Sequence, residues 1–600
     1  MNIRNLAIIA HVDHGKTTLI DGLLRQAGVF EQHREMSDRV MDSGDLEKER
    51  GITITAKNAA LTWKDTLINV VDTPGHADFG SEVERALFMV DGAFLLVDAA
   101  EGPLPQTRFV LNKAMQQGIR LALVINKVDR PDARIQEVEE QVLELFYDLA
   151  SDEKQVNYPT IYASAKEGWA SKNALEPTQN LHPLLDLIVD DMPAPRVQPE
   201  APFHMLVADR RYDSFVGHIA VGRIEAGSLQ ENQQLQLVDA AGQSKQFTVS
   251  ALQQIWGLAT KRVQELSAGN IALVAGLDNP QIGDVIQVCD GPSIARKLHV
   301  DPPAVSVRMS VNTCPLAGTE GTYLTSRKLQ DVLQAACQQN VALSLHDTDS
   351  PEVFELKARG ELQIVVLLEQ MRRQGYEVMA GRPQVLVHEQ DGQQVQPQEN
   401  MVIDLPQDFV GAVTQLLASR GGTLQDMQPL SGSDRVRLQF LIPSRGLIGV
   451  RSQLLTRTRG EAIYASSFSG WIPWDGKSMQ RTNGAMIADR DGECREYALH
   501  RLQERGKLFV GAGVHVYEGM IIGEHNRNTD LNANPTKEKK LTNMRASGSD
   551  ESTKLDGIYP MGLDEALEWI DDDEWVEITP KSIRLRKDEL KANARKVTRQ

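Results

Sequence analysis

At 600 residues, with 41% hydrophobic and 24% charged side chains, the chain is too long for one hydrophobic core and too ordinary in composition for a disordered or fibrous protein. A net charge of −18 means that any contact with nucleic acid must come from local basic patches rather than the whole surface. Four cysteines, none in the CxxC spacing of a metal or redox pair, read as small buried hydrophobes, and the short apolar N-terminus predicts no signal segment or membrane span, hence a cytoplasmic protein.

The first predicted element is a buried parallel strand, LAIIA (residues 6–10), and HVDHGKTTLIDGLL follows it as a loop opening into a helix. The loop fits GxxxxGK[ST] with Ala10 in place of the first glycine. Backbone amides of Asp13, His14, Gly15, Lys16, Thr17 and Thr18 can cradle phosphate oxygens there, with Lys16 reaching the β and γ phosphates and the Thr17 hydroxyl offered to Mg2+. EKERGITI (47–54) carries Thr53, the expected second hydroxyl ligand of Mg2+.

The strand TLINVVD ends on Asp72, a carboxylate placed to hold Mg2+ through water. In VDTPGH (71–76) the Gly75 amide can meet a γ-phosphate only before cleavage, which makes this segment a nucleotide-dependent switch. His76 occupies the position from which a side chain orients the attacking water, so it is the candidate catalytic residue. LALVINKVD (121–129) ends another buried strand with Asn126, Lys127 and Asp129. Asp129 can accept from the N1–H and exocyclic amine of guanine, while the Lys127 stem covers the base. ASAK (163–166) adds Ser164, Ala165 and Lys166, whose amides can reach the guanine carbonyl. The expected nucleotide is therefore GTP.

AHVDHGKTT, RGITI, DTPGH and NKVD together resemble the translational GTPases. The resemblance implies that His76 becomes catalytic when ribosomal RNA moves it towards the water, so that turnover is slow without the ribosome. It also implies an apolar gate formed by Val12 and Ile52, and a monovalent cation near Asp13.

Four prolines in MPAPRVQPEAP close an expected GTPase domain at 1–200. Short alternating strands with regular glycines predict a β-barrel over 201–301. Two split β-α-β units of ferredoxin-like type are expected at 302–390 and 391–483, the second with Val413, Leu416 and Leu417 facing inward. The fold class is thus multidomain α/β plus β, with a distinguishing C-terminal domain at 484–600. Elongation factor G has a related pair of α+β units, but a long extra domain lies between them; here about a dozen residues do.

Within the C-terminal domain, residues 523–554 are rich in Asn, Thr, Ser and Gly and predict a loop that is mobile until bound. Lys537, Lys539, Lys540 and Arg545 in it are candidate RNA contacts. Residues 564–577 hold eight acids and no base, whereas residues 581–599 hold eight bases and two acids, a basic tail suited to phosphates. MDSGDLEKERGITI and DTPGHADFGSEVERALFMVDGAFLLVDAAEGPLPQTRFV closely resemble the BipA/TypA family, and the likeness runs along nearly the whole chain. It implies a monomeric, ribosome-associated factor that contacts both subunits, rRNA, ribosomal proteins and A-site tRNA. Its roles would be large-subunit assembly, translation under stress such as cold, or both. An RNA-binding scaffold using GTP only as a conformational ligand, and an elongation-type factor acting on A-site tRNA, remain alternatives.

Overall fold

The computed structural model describes residues 2–11, 13–29, 49, 57–73, 80–174, 176–213, 215–239, 241–289, 303–340, 342–430, 434–476, 481–538, 555 and 557–595. Val12, Ile52, Thr53, Gly75, His76, Lys539, Lys540 and Arg545 lie outside them.

The N-terminal sheet is built from β1 (Asn2–Ala10), β2 (Lys57–Trp63), β3 (Thr66–Asp72), β4 (Gly92–Asp98), β5 (Arg120–Asn126), β6 (Thr160–Ser164) and β7 (Trp169–Ser171). The spatial order is β2-β3-β1-β4-β5-β6-β7, and the five strands from β3 to β6 are parallel. Strands β3 and β4 are buried at every position, as a sheet covered by helices on both faces requires. The carboxyl ends of β1, β3, β4, β5 and β6 therefore come out along one edge, where the loops carrying every described nucleotide motif emerge.

A barrel-like set of strands follows, around a core of Phe203, Met205, Val207, Ile224, Leu252 and Val274. It docks on the first domain through a shared apolar cluster that includes Ile219, Ile255 and Leu273, and through polar bonds: Arg223 pairs with Asp91 at 2.7 Å and Asn5 Nδ2 donates to the Gly269 carbonyl at 3.1 Å. The hairpin turn at Gly257 also exchanges two backbone hydrogen bonds with Ala60 of the edge strand β2, at 2.9 and 3.0 Å.

Beyond residue 302 the predicted β-α-β order appears. Strand Val305–Val311, helix Ser326–Gln339, strands Ser344–Asp347 and Val353–Ala358, helix Glu361–Arg373 and strand Val378–Gly381 form the first unit. Its sheet continues into the C-terminal region, because Val378–Gly381 pairs antiparallel with Glu574–Ile578, followed by Ile583–Lys587, Met520–His525 and Ala485–Ala488. One core runs across the junction, from Val307, Leu368 and Val378 to Ala566, Val576 and Leu585. The second α+β unit, residues 393–473, folds on its own core around Met401, Ile403, Leu417, Leu438 and Phe440.

Two expectations for the C-terminal region need correction. The mobile loop expected from residue 523 begins inside a strand: Met520–His525 lies in the sheet, and Leu531–Ala533 pairs parallel with Ala485–Ala488. Backbone pairing on both sides outweighs the low apolar content, so through residue 538 the segment is ordered framework carrying an exposed Lys537. The basic tail is internal in part, although Lys581 and Lys591 are exposed. Arg584, Arg586 and Lys587 sit on Ile583–Lys587; Arg584 pairs with Glu320, and Lys587 lies 2.8 Å from Glu574 and 3.0 Å from Asp573. The acidic run and the basic run neutralise each other across two neighbouring strands.

Candidate nucleotide-binding site

The phosphate loop leaves β1 with Asp13 at φ 63° and Gly15 at φ 93°, both in the left-handed region. Gly15 is required by space as well as by φ: a Cβ there would stand 2.4 Å from Asn126 Nδ2. Helix α1 (Lys16–Gln26) begins directly after it, so its first amides point into the loop. Thr17 is half-buried and Thr18 exposed at this end.

Lys16 is buried, with its ammonium 2.9 Å from the fully buried Asp72 carboxylate and bonded to the Thr73 carbonyl. The sequence pattern placed these two groups on separate motifs; β1 and β3 are neighbouring parallel strands, which brings them together. An ammonium and a carboxylate side by side at a loop of backbone donors suit phosphate and a hard cation.

Asn126 closes the loop against the base-recognition turns. Its Nδ2 donates to the His14 carbonyl at 2.8 Å, and its Oδ1 accepts from the Ala165 amide at 2.9 Å. One side chain thus brackets the phosphate loop, the end of β5 and the turn after β6. Ser164 is buried and its Oγ accepts from the Glu167 amide at 3.3 Å, which shapes that turn. Asp129 and Lys166 are solvent-exposed, on the open side of the same region.

Two residues that the motif reading passed over hold this arrangement. Asp98, fully buried at the end of β4, takes the Lys127 ammonium at 2.6 Å and the Ala100 amide at 2.7 Å. Burial alone would raise its carboxyl, but Lys127 and Ala100 outweigh it and hold the group below the usual carboxylate range. Lys127 itself has φ 62°, so its direction is set by backbone and ion pair together. Glu101 stands 3.5 Å from Nε2 of the wholly buried His14, whose Nδ1 faces the Leu96 carbonyl at 3.4 Å. The His14 ring also holds the Glu101 carboxyl low. The signal for Asp98 was present, since GAFLLVD ends a buried strand on an aspartate as TLINVVD does.

A parallel sheet, a phosphate loop at its carboxyl edge, an asparagine bracket to a guanine-type turn, and an attached barrel define a P-loop GTPase of the translation-factor class. Comparison with known families agrees in detail. The Elongation factor Tu GTP binding domain matches residues 1–194, Elongation factor G domain 2 residues 202–289, the Elongation factor G C-terminus residues 395–482, and the TypA/BipA C-terminal domain residues 483–592.

The chain belongs to the BipA/TypA family. It is 47% identical over 597 residues to the Large ribosomal subunit assembly factor BipA of Escherichia coli K12, covering 99% of this chain and 98% of the relative. The protein of the same name from Haemophilus influenzae Rd is 46% identical, with 99% and 97% covered. A crystal structure from Thermus thermophilus matches with a TM-score of 0.55 at 17% identity, over 79% of this chain and 98% of its own, a likeness of fold.

Proposed function

We propose that this protein is a ribosome-stimulated GTPase whose cycle times its stay on a maturing large subunit. The observation that carries the reading is the Asn126 bracket, which joins a phosphate loop to a guanine-type turn. It stands in a chain 47% identical over 99% of its length to relatives named for large-subunit assembly. Asp129 would select guanine, the Lys127 stem would cover the base, and Ser164, Ala165 and Lys166 would border its carbonyl.

Lys16 would leave Asp72 for the β and γ phosphates, and the amides of Asp13 to Thr18 would hold the remaining oxygens. The Thr17 hydroxyl and the Asp72 carboxylate fit Mg2+, with Thr53 as a further ligand; when bound, the ion neutralises charge on the phosphates. Among the described residues no cage of three His, Cys, Asp or Glu side chains exists, so phosphate and water would supply most of its ligands. A monovalent cation beside Asp13 belongs to the same proposal.

His76, restrained by Val12 and Ile52, would orient the water that attacks the γ-phosphorus, giving GDP and inorganic phosphate once rRNA displaces the ring. The Gly75 amide would then lose its phosphate oxygen and release the switch. Partners would be both subunits, rRNA, A-site tRNA and ribosomal proteins, met by a cytoplasmic monomer during assembly or stress such as cold. Lys537, Lys539, Lys540 and Arg545 would add RNA contacts.

GTP turnover measured alone, with large subunits and with whole ribosomes tests the reading. P-loop GTPases run at about 10⁻⁴ s⁻¹ unaided and about 10⁵-fold faster with an activator. His76→Ala is expected to bind GTP and ribosomes yet lose the stimulation. Full stimulated turnover by that variant would sink the catalytic assignment, and its rescue of a deletion strain would favour the scaffold alternative.

A further inference from the structure

A cleft of about 1010 Å³, open in part to solvent, lies where three folded units meet. The first α+β unit contributes Val305, Leu362 and Val365 to its wall, the second Leu447 and Val450, and helix Leu563–Trp569 of the C-terminal domain Leu567. A mainly apolar hollow with a few polar groups, at a junction between domains, has the build of a small-molecule site. None of the nucleotide-binding residues lines it.

The polar groups of the wall fall into two sets. Arg359 and Glu399, both buried, are paired at 3.1 Å, and Ser444 Oγ donates to the same carboxylate at 3.0 Å. That set is balanced within the protein. The second set is Glu361, Asp564 and Glu568, with Arg451 as the further cation in the wall. Asp564 and Glu568 stand four residues apart on one helix and both line the cleft, so two like charges sit one turn apart on an apolar wall.

Glu568 is met from two sides. Ser452 Oγ, on helix Val450–Arg457, donates to its Oε2; Asp564 lies along its own helix, and Arg451 and Arg420 face it from the second unit. Arg420 commits its guanidinium to the Gly446 and Ile448 carbonyls, at 3.0 and 2.6 Å. Burial outweighs both cations and keeps the Glu568 carboxyl above the ordinary glutamate value.

We propose that this cleft binds an aliphatic polyamine, with its methylene chain against Leu362, Val365, Leu447 and Leu567 and its ammonium groups on Asp564, Glu568 and Glu361. A hydrated Mg2+ ion would gain nothing from the apolar walls, because it keeps its waters and seeks oxygen ligands. A polyamine uses both features of the cleft. Its ammonium ionises Glu568 and the proton leaves to solvent, so affinity rises with pH until the free carboxyl is already ionised. The ligand touches all three units and therefore fixes their relative placement. The inference is independent of the nucleotide reading.

The test is isothermal titration calorimetry of the full chain with spermidine, from about pH 5 to about pH 8 in about 0.15 M KCl. One saturable site is expected, with affinity rising over that range and a proton released at its acid end. Asp564→Asn with Glu568→Gln is expected to weaken binding at least about tenfold and to remove the proton release. Glu140→Gln with Glu144→Gln, exposed acids at the same spacing on helix Ile135–Leu149 but beside no cleft, is expected to bind as the parent does.

Parental affinity in the Asp564 and Glu568 variant, an equal loss in the Glu140 and Glu144 variant, or displacement of spermidine by Mg2+ at equal charge concentration overturns the proposal. Should the double variant fail to fold, Glu361→Gln replaces it: that change sits on a different unit, is expected to weaken binding as well, and overturns the proposal if affinity stays parental. Saturable binding of oligolysine with none of spermidine overturns it in favour of a basic protein segment.

Discussion

Asn126 makes two buried hydrogen bonds to backbone groups on different loops, at 2.8 and 2.9 Å, and both groups would be left unpaired in Asn126→Ala. At about 1 kcal/mol per bond, the expected loss is about 2 kcal/mol of nucleotide affinity, roughly 30-fold in Kd, measurable with a fluorescent guanine nucleotide. Glu377 is a second residue with a clear load. Its carboxylate accepts amides of Gly318 at 2.9 Å, Glu320 at 3.0 Å and Gly321 at 2.6 Å, and Asn312 Nδ2 at 3.1 Å. Burial pushes its carboxyl up, but these four donors prevail and hold it below the ordinary glutamate value. A lowered folded-state pKa adds stability above the unfolded value near 4.3 that disappears as pH falls through the folded value. Glu377→Gln is therefore expected to cost about 1–3 kcal/mol at neutral pH and to flatten the acid side of the urea-stability profile. The phosphate loop was legible in sequence because its spacing is local. Glu377 and the partnership of Asp98 with Lys127 were not, since each depends on strands that are neighbours in the sheet and distant in the chain.

Among the elements, the periodic helices of both α+β units were readable, because Ile364, Leu367, Leu368 and Met371 repeat at helical spacing and are all buried. The strand Met520–His525 was harder, since its second half is the polar GEH and its identity comes from neighbours on both sides. The acidic and basic runs misled for a related reason: charge counted along the chain says nothing of cross-strand pairing. Arg481 shows what that pairing does. Its guanidinium sits 3.8 Å from the Trp569 ring centre and makes bonds of 2.7 and 2.9 Å to both oxygens of the fully buried Glu574. Arg481→Ala leaves that carboxylate short of a partner and is expected to destabilise the chain by about 3–5 kcal/mol in urea unfolding. The apolar pair Arg481→Met with Glu574→Leu is expected to lose much less, which separates pairing from packing.

Across the whole molecule, polar bonds add fixed points to joints that also share apolar cores. Besides Arg223 with Asp91, Arg437 holds Asp404 at 2.6 Å and donates to the Pro103 carbonyl at 3.4 Å, while Arg373 pairs with Glu49, just before RGITI. Barrel docking also depends on Gly257, which has φ 62° and where a Cβ would stand 2.9 Å from Val29 Cγ1. Gly257→Val is expected to lower the melting temperature and to separate the unfolding of the first two domains, seen as two calorimetric transitions in place of one. The domain order was legible from sequence, whereas these joints were not, because each depends on the relative placement of folded units. The bridge between Gly257 and Ala60 also bears on how the chain is made. Strand β2 leaves the ribosome nearly 200 residues before the hairpin that covers its edge; at about 5–20 residues per second it stays uncapped for about 10–40 s. Strand Val378–Gly381 waits over a similar length for Glu574–Ile578. During synthesis each nascent chain thus passes through two intervals in which an open strand edge can pair with another copy, and the rate of translation sets how long that hazard lasts.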